Sequence, residues 1–212
     1  MILNGYKPQR GINRAEKLHN APKSGLKLRV LQENSFEYLC ESYVKDTAEY
    51  LRGNYGKTCV FLSHKSCDKP YAKIIGDRLN DKGLDVYLDM YDDGLQGATE
   101  RRDDEAIVQH IQLAIACSTH ILVLLSENTH KSWWVPYEVG YAQRSKCEIA
   151  SLKLGDSFIP EYLKIKDVIE VEPQHVIENF KDEYEISDPY DELGKYVNSL
   201  SSHQIAINES KS

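Results

Sequence analysis

The chain has 212 residues, 41% hydrophobic and 28% charged, which is room for one ordinary domain with extensions but not for two large ones. No apolar run reaches the roughly 20 residues that cross a bilayer, and no apolar block follows the basic residues of positions 1–29 as a secretory signal requires. A cytoplasmic protein without a membrane partner is therefore expected. The net charge of −7 repels a nucleic-acid backbone, and the basic N-terminal arm, with Arg10 and Arg14, is expected to be a solvated tail.

Along residues 1–28, Gly5, Pro8, Gly11, Pro22 and Gly25 interrupt any periodic pattern, so this stretch reads as an arm without a fold. From Asn34, apolar residues recur at helical spacing (Phe36, Leu39, Cys40, Tyr43, Val44, Ala48, Leu51), with Asn34 and Glu37 placed as a capping box and Gly53 as the stop. Thr58 to Leu62 is a short apolar run of the kind a buried strand makes, a helical period through Tyr71, Ile75 and Leu79 runs up to Gly83, and Leu84 to Leu88 is a second strand closed by Asp89.

The polar stretch Tyr91 to Asp104, with Gly94 and Gly97, reads as a long loop. Ile107, Ile111, Ala114 and Ile115 resume a helix, and Ile121 to Leu125 is a third strand. Ser132 is placed to cap a helix that tolerates Pro136 in its first turn and runs to about Lys146, ahead of strands near Ile149 to Leu154 and Val168 to Val171. After an acidic stretch, Asp188 and Pro189 open a last helix.

Strands that alternate with helices in this way imply an α/β fold, a parallel sheet with helices on both faces, because right-handed crossovers place them there. The expected units are an N-terminal arm and helix over 1–56, the α/β domain over 57–172, and an acidic linker with a C-terminal helix over 173–212.

The five cysteines are odd in number, widely spaced and without a CxxC pair, which fits reduced packing residues better than a disulfide frame or a zinc site. His64 and Cys67 stand three apart but lack a second pair of ligands, so no metal is expected.

In an open parallel sheet, ligands bind beyond the carboxyl ends of the strands. The first end offers Ser63, His64 and Lys65, the second Asp89 and the Asp92 to Gly97 segment, the third Ser126, Glu127 and Asn128. Neither GxGxxG nor GxxxxGK[ST] follows a strand, so a phosphate-bearing ligand has to be held by other means.

Glu138 follows Trp134 by four residues, one turn along a helix. A carboxylate beside an aromatic wall suits a reaction that develops positive charge on a sugar, since the anion stabilises an oxocarbenium-like transition state. Spacing alone also admits a packed indole and a solvated helix glutamate.

Taken together, Val60-Phe61-Leu62-Ser63-His64, Asp68, Ala72, Leu79, Gly83, Val86, Asp89, Leu122 to Ser126, Ser132, Trp134 and Glu138 resemble the prokaryotic Toll/interleukin receptor (TIR) family over residues 57–172. The resemblance implies a flavodoxin-like, five-stranded parallel sheet. It also implies cleavage of NAD, as substrate and not as resident cofactor, to nicotinamide and ADP-ribose or a cyclised form, in immune (antiphage) or stress signalling, with self-association or an effector or activator protein as the switch. By resemblance Glu138 is catalytic, Ser63, His64, Lys65, Asp89 and Leu95 border the substrate, and Trp134 walls it, with Trp133 beside it as the competing indole.

One departure from the family pattern is the charged run Thr99 to Asp104 after Gly97, read as a lengthening of the second loop. Arg101 and Arg102 within it are either pyrophosphate ligands or solvated charges, and His64 is a candidate base or phosphate donor. The rival readings are a non-catalytic interaction module and a nucleoside glycosyl-transferring enzyme. Glu138, taken as accessible, is expected to tolerate substitution within about ±0.5 kcal/mol of stability.

Overall fold

Five parallel strands form one sheet in the order β2-β1-β3-β4-β5. The computed structural model describes residues 10–15, 58–145, 147–164, 167–171 and 199. The helices expected from Asn34 and from Asp188 lie outside them. The strands are β1 (Cys59–Ser63), β2 (Asp85–Tyr87), β3 (His120–Leu125), β4 (Glu148–Leu154) and β5 (Asp167–Val171). Between them stand α1 (Lys69–Asp81), α2 (Asp93–Arg101), α3 (Asp104–Ala116) and α4 (Trp134–Arg144). Because β1 pairs with both β2 and β3, the chain reverses its direction of winding at β1, the position where α/β sheets hold their ligands.

Side-chain alternation divides the core in two. Phe61, Ile121, Val123, Leu125 and Ile149 point to one face and pack under α2, α3 and α4. Val60, Leu62, Leu122, Leu124 and Leu152 point to the other, where α1 supplies Ala72, Ile75 and Leu79. Burial of such a side chain stabilises by about 1.5–3 kcal/mol, so the two-residue period of β1 and β3 fixes the register of both layers. All of β1 is buried, as a central parallel strand should be. The first helix ends at a glycine with φ of 83° at Gly83, whose amide donates to the Asn80 carbonyl at 2.9 Å, the left-handed stop that frees the chain to enter β2.

Several expectations fail here. The stretch 91–104 is not a loop. A 3-10 turn (Asp89–Tyr91) leads into α2, whose first turn is capped by Asp92 Oδ1 accepting the Leu95 amide at 3.0 Å. Leu95 and Ala98, three apart, face the core. The helix closes at Arg102 in a left-handed conformation with φ of 55°, and Asp103 caps α3 by accepting the Ala106 amide at 3.1 Å. Two glycines each cost a helix about 0.5–1 kcal/mol, which the Asp92 cap and a buried face offset. The run Thr99 to Asp104 is thus the end of one helix and the cap of the next, not a lengthened loop.

The N-terminal arm is not wholly solvated either. Residues 10–15 lie along the free edge of β2: the Val86 amide donates to the Ile12 carbonyl at 3.0 Å and the Arg14 amide to the Val86 carbonyl at 2.8 Å. Gly11 permits the approach, since a Cβ there would stand 1.8 Å from the Leu84 carbonyl oxygen. Arg14 is buried, its Nε donating to Asp85 Oδ2 at 2.9 Å. Charge counting assigned Arg14 to water; the buried Asp85 supplies a reason to bring it inside. Among the cysteines, Cys59, Cys117 and Cys147 are buried free thiols, whereas Cys67 is exposed and does not pack.

Candidate functional site

The carboxyl end of β1 meets the inner face of α4. That helix begins just after Ser132, whose hydroxyl accepts the Val135 amide at 3.3 Å, and it buries Val135, Glu138, Val139 and Ala142 as one stripe. In this stripe Glu138 is the polar member, only 7% exposed, so it is not the accessible residue that its helical setting suggested. Ser63, the last residue of β1, donates its hydroxyl to Glu138 Oε2 at 2.5 Å, the length of a hydrogen bond to a charged acceptor. Burial raises the Glu138 carboxyl to about 7, with the Ser63 hydrogen bond lowering it and the charge of Asp89 adding to the rise.

His64 follows Ser63 with its ring buried, Nδ1 2.9 Å from the Leu62 carbonyl oxygen and Nε2 3.5 Å from Asp89 Oδ1. Ser63, His64, Asp89 and Glu138 therefore form one cluster at the point where the winding reverses.

The other expected residues are held elsewhere. Lys65 leads the 3-10 turn Ser66–Asp68, and its carbonyl accepts the Asp68 amide at 2.7 Å. Leu95 packs inward as part of the core cluster, because α2 turns its apolar side to the sheet. Trp133 is 91% exposed and Trp134 37%, so of the two indoles Trp134 is the one held against the domain. Its ring meets Tyr137 edge-on at 6.0 Å, and Tyr137 stacks on Tyr141 at 6.5 Å, an aromatic stripe alongside the Glu138 stripe. Arg101 and Arg102 lie exposed at the end of α2.

Two polar networks that spacing did not suggest hold the loops in place. Asp92, fully buried, accepts the Tyr87 hydroxyl at 2.7 Å and faces His110 Nδ1 at 3.3 Å. Desolvation works to raise the Asp92 carboxyl, but hydrogen bonds from His110, the Leu95 amide and Tyr87 prevail and hold it below the usual carboxylate range. Asp68, also buried, accepts the Ser126 hydroxyl at 2.6 Å and the Asn128 amide at 3.3 Å, tying the loop after β1 to the loop after β3. The signal for the first was a buried strand tyrosine five residues before a capping aspartate; for the second it was a Ser-Glu-Asn turn after an apolar strand. A cleft of about 220 Å³ opens between the loops after β3 and β4, lined by Ser126, Thr129, Asp156, Phe158 and Pro160 among others; Glu138 does not line it.

The arrangement offers a buried carboxylate oriented by a hydroxyl, able to face a developing cation or to carry a proton near neutrality. Comparison with known proteins finds the family model described as "TIR domain" over residues 60–192, more than half of the chain. A search of curated proteins finds no match. Among solved structures, the CMP N-glycosidase BcmB of Clostridium botulinum is 14% identical, with 68% of this chain and 98% of that one covered and a TM-score of 0.40. The diflavin flavoprotein A3 of Nostoc sp. is 12% identical, covers 69% of this chain and 97% of its own, and has a TM-score of 0.39.

Proposed function

The chain belongs to the TIR domain family, and on that premise we propose that it cleaves the N-glycosidic bond of NAD, releasing nicotinamide and ADP-ribose or a cyclised ADP-ribose. The observation that carries the proposal is the Glu138 carboxylate, buried and aimed by the Ser63 hydroxyl at 2.5 Å where β1 opens. In this reaction the bond between ribose C1′ and the pyridinium nitrogen breaks, its electron pair passing to the ring, so nicotinamide leaves neutral and needs no proton. Positive charge accumulates on C1′ and the ring oxygen, and an ionised Glu138 in a water-poor setting stabilises it. A water or a nitrogen of the adenine then bonds to C1′ and loses a proton.

With Glu138 almost closed off in the isolated chain, substrate needs an opening movement, which fits activation by self-association or by an effector protein. A cytoplasmic location and a part in immune or stress signalling belong to the same proposal.

Replacement of Glu138 by Gln keeps the shape and the Ser63 hydrogen bond but removes the charge. Nicotinamide release, followed by mass spectrometry, is expected to fall by a factor on the order of 10³; turnover that survives the substitution rejects the assignment. One observation favours a second reading. A carboxyl at about 7 is partly protonated at neutrality, and a neutral nucleobase, unlike nicotinamide, leaves more readily when it receives a proton. The two readings differ in the sign of their pH dependence: NAD cleavage rises with pH through about 7 as Glu138 ionises, whereas nucleoside cleavage driven by the Glu138 acid falls across the same range. A pure interaction module consumes neither substrate at any protein concentration.

A further inference from the structure

Both ring nitrogens of His64 face oxygen acceptors. The Leu62 carbonyl, 2.9 Å from Nδ1, has only lone pairs to offer, so Nδ1 carries a proton. On a singly protonated ring Nε2 is then a bare lone pair, pointed from 3.5 Å at the covered oxygen Oδ1 of Asp89, whose side chain is 32% exposed, and two acceptors oppose each other. The His64 side chain is 2% exposed, and neither Nε2 nor Asp89 Oδ1 has a hydrogen-bond partner among the described residues. Unpaired buried polar atoms are costly. A second proton on the ring turns this opposition into an N–H facing a carboxylate, somewhat longer than the about 2.7–2.9 Å of a tight charged pair.

The surroundings leave this pair as the adjustable element beside Glu138. From β1, Glu138 meets the neutral Ser63 hydroxyl. On β2, Tyr87 is held as the neutral phenol by burial and by Asp92. Asp92 is itself held by Tyr87, His110 and the Leu95 amide. Asp89 is the carboxylate whose charge acts on Glu138, and His64 Nε2 stands 3.5 Å from it, an ion pair once the ring carries a second proton.

We propose that His64 is a positioning residue that acts through Asp89: its doubly protonated ring offsets the Asp89 charge and so keeps Glu138 available as an anion, making the His64–Asp89 pair the element that sets the pH at which the site works. The proposal rests on Glu138 being the working carboxylate, but its central step is visible without turnover.

The test uses the full chain with carbon-13 in its glutamate carboxyls, the Glu138 signal being assigned by its loss in Glu138→Gln. Its titration is followed in the wild type, His64→Gln, Asp89→Asn and the double variant. Asp89→Asn is expected to lower the Glu138 midpoint and His64→Gln to raise it, each by about 3–10-fold in proton affinity, while His64→Gln adds nothing in the Asp89→Asn background. An unchanged or lowered midpoint in His64→Gln, or the same rise with and without Asp89, overturns the proposal.

Should His64→Gln fail to fold, the nitrogen-15 spectrum of the wild-type ring at about pH 7.5, where an unpaired imidazole is largely singly protonated, decides: two attached protons on His64 in the wild type, with one lost in Asp89→Asn, are expected, and a singly protonated wild-type ring refutes the pairing. Where nicotinamide is released, the acidic limb of its pH profile moves with the midpoint. Where none is released by any variant, the proposed activity falls while the titration still judges the pair.

Discussion

Asp85 and Glu138 are both buried carboxylates within the same small domain, and they are satisfied very differently. Asp85 spreads its charge over two donors, the Ile12 amide at 3.1 Å and the Arg14 guanidinium at 2.9 Å. Among the described residues Glu138 has the Ser63 hydroxyl alone and no cation paired with it, while the charge of a second carboxylate, Asp89, opposes it. The first arrangement holds chain to chain: it fastens residues 10–15 to the edge of β2 and closes a row of backbone groups that would otherwise invite another strand. The second leaves electrostatic free energy unspent, and that is the condition in which a carboxylate can do more for an incoming cation than for its own fold.

Breaking the satisfied side should have the larger effect on stability. Arg14→Ala leaves Asp85 charged and buried with only an amide for company, which costs about 3–5 kcal/mol in urea unfolding. Pairing Arg14→Met with Asp85→Asn removes both charges and retains an acceptor for the Ile12 amide, and should recover more than half of that loss. An Arg14→Ala variant as stable as the wild type would mean that the N-terminal segment contributes nothing to the domain.

On the unsatisfied side the sign reverses. The folded-state Glu138 lies at about 7, against an ordinary value of 4.5. Below the lower value both folded and unfolded chains hold the proton and nothing is lost. Between the two, the unfolded chain gives up its proton first, so folding stability declines as pH rises, and above about 7 the loss is complete. At about 1.4 kcal/mol per pH unit the difference comes to about 3 kcal/mol. Glu138→Gln escapes this penalty. It should match the wild type near pH 4 and exceed it by up to about 3 kcal/mol near pH 8, in chemical denaturation at each pH, while losing turnover. A constant gap between the two proteins across that range would place the carboxylate in water.

Periodicity was enough to locate β1, β3, α1 and α3, because a two- or 3.6-residue repeat of large apolar side chains has few other uses. Strand ends converging on one edge of the sheet grouped Ser63, His64 and Asp89, but it was the family resemblance, not periodicity, that added Glu138 to them. What periodicity cannot report is what lies over a given face. Arg14 was assigned to solvent for its charge and Glu138 for its place on a helix. Their burial depends on Asp85 and Ser63, which lie about seventy residues away or more in the chain. The helix α2 was hidden for a different reason: its evidence is the Asp92 cap and two apolar residues, while Gly94 and Gly97 lie within it.

Asp92 provides the intermediate case, a buried carboxylate with several hydrogen bonds and a capping duty. Tyr87→Phe removes one of its donors while the Leu95 amide and His110 remain, and the ring keeps its stack on Phe61 at 5.1 Å. A loss of about 1 kcal/mol is expected, well under that from Arg14→Ala, and thermal unfolding of both variants under one condition gives the order directly.

The smallest expected change separates stability from chemistry on the helix they share. Gly140 lies two residues after Glu138 on α4, exposed, and a Cβ built there meets nothing within 4 Å. Alanine at this position loses less backbone freedom on folding, which should stabilise the helix by about 0.5–1 kcal/mol without touching Ser63, Asp89 or the Glu138 carboxyl. Gly140→Ala should therefore raise the thermal midpoint and leave the nicotinamide release rate and its pH profile where they were. If a firmer α4 alone lowers turnover, then movement of this helix, and not only the charge it carries, takes part in admitting substrate to a carboxylate that the resting chain keeps covered.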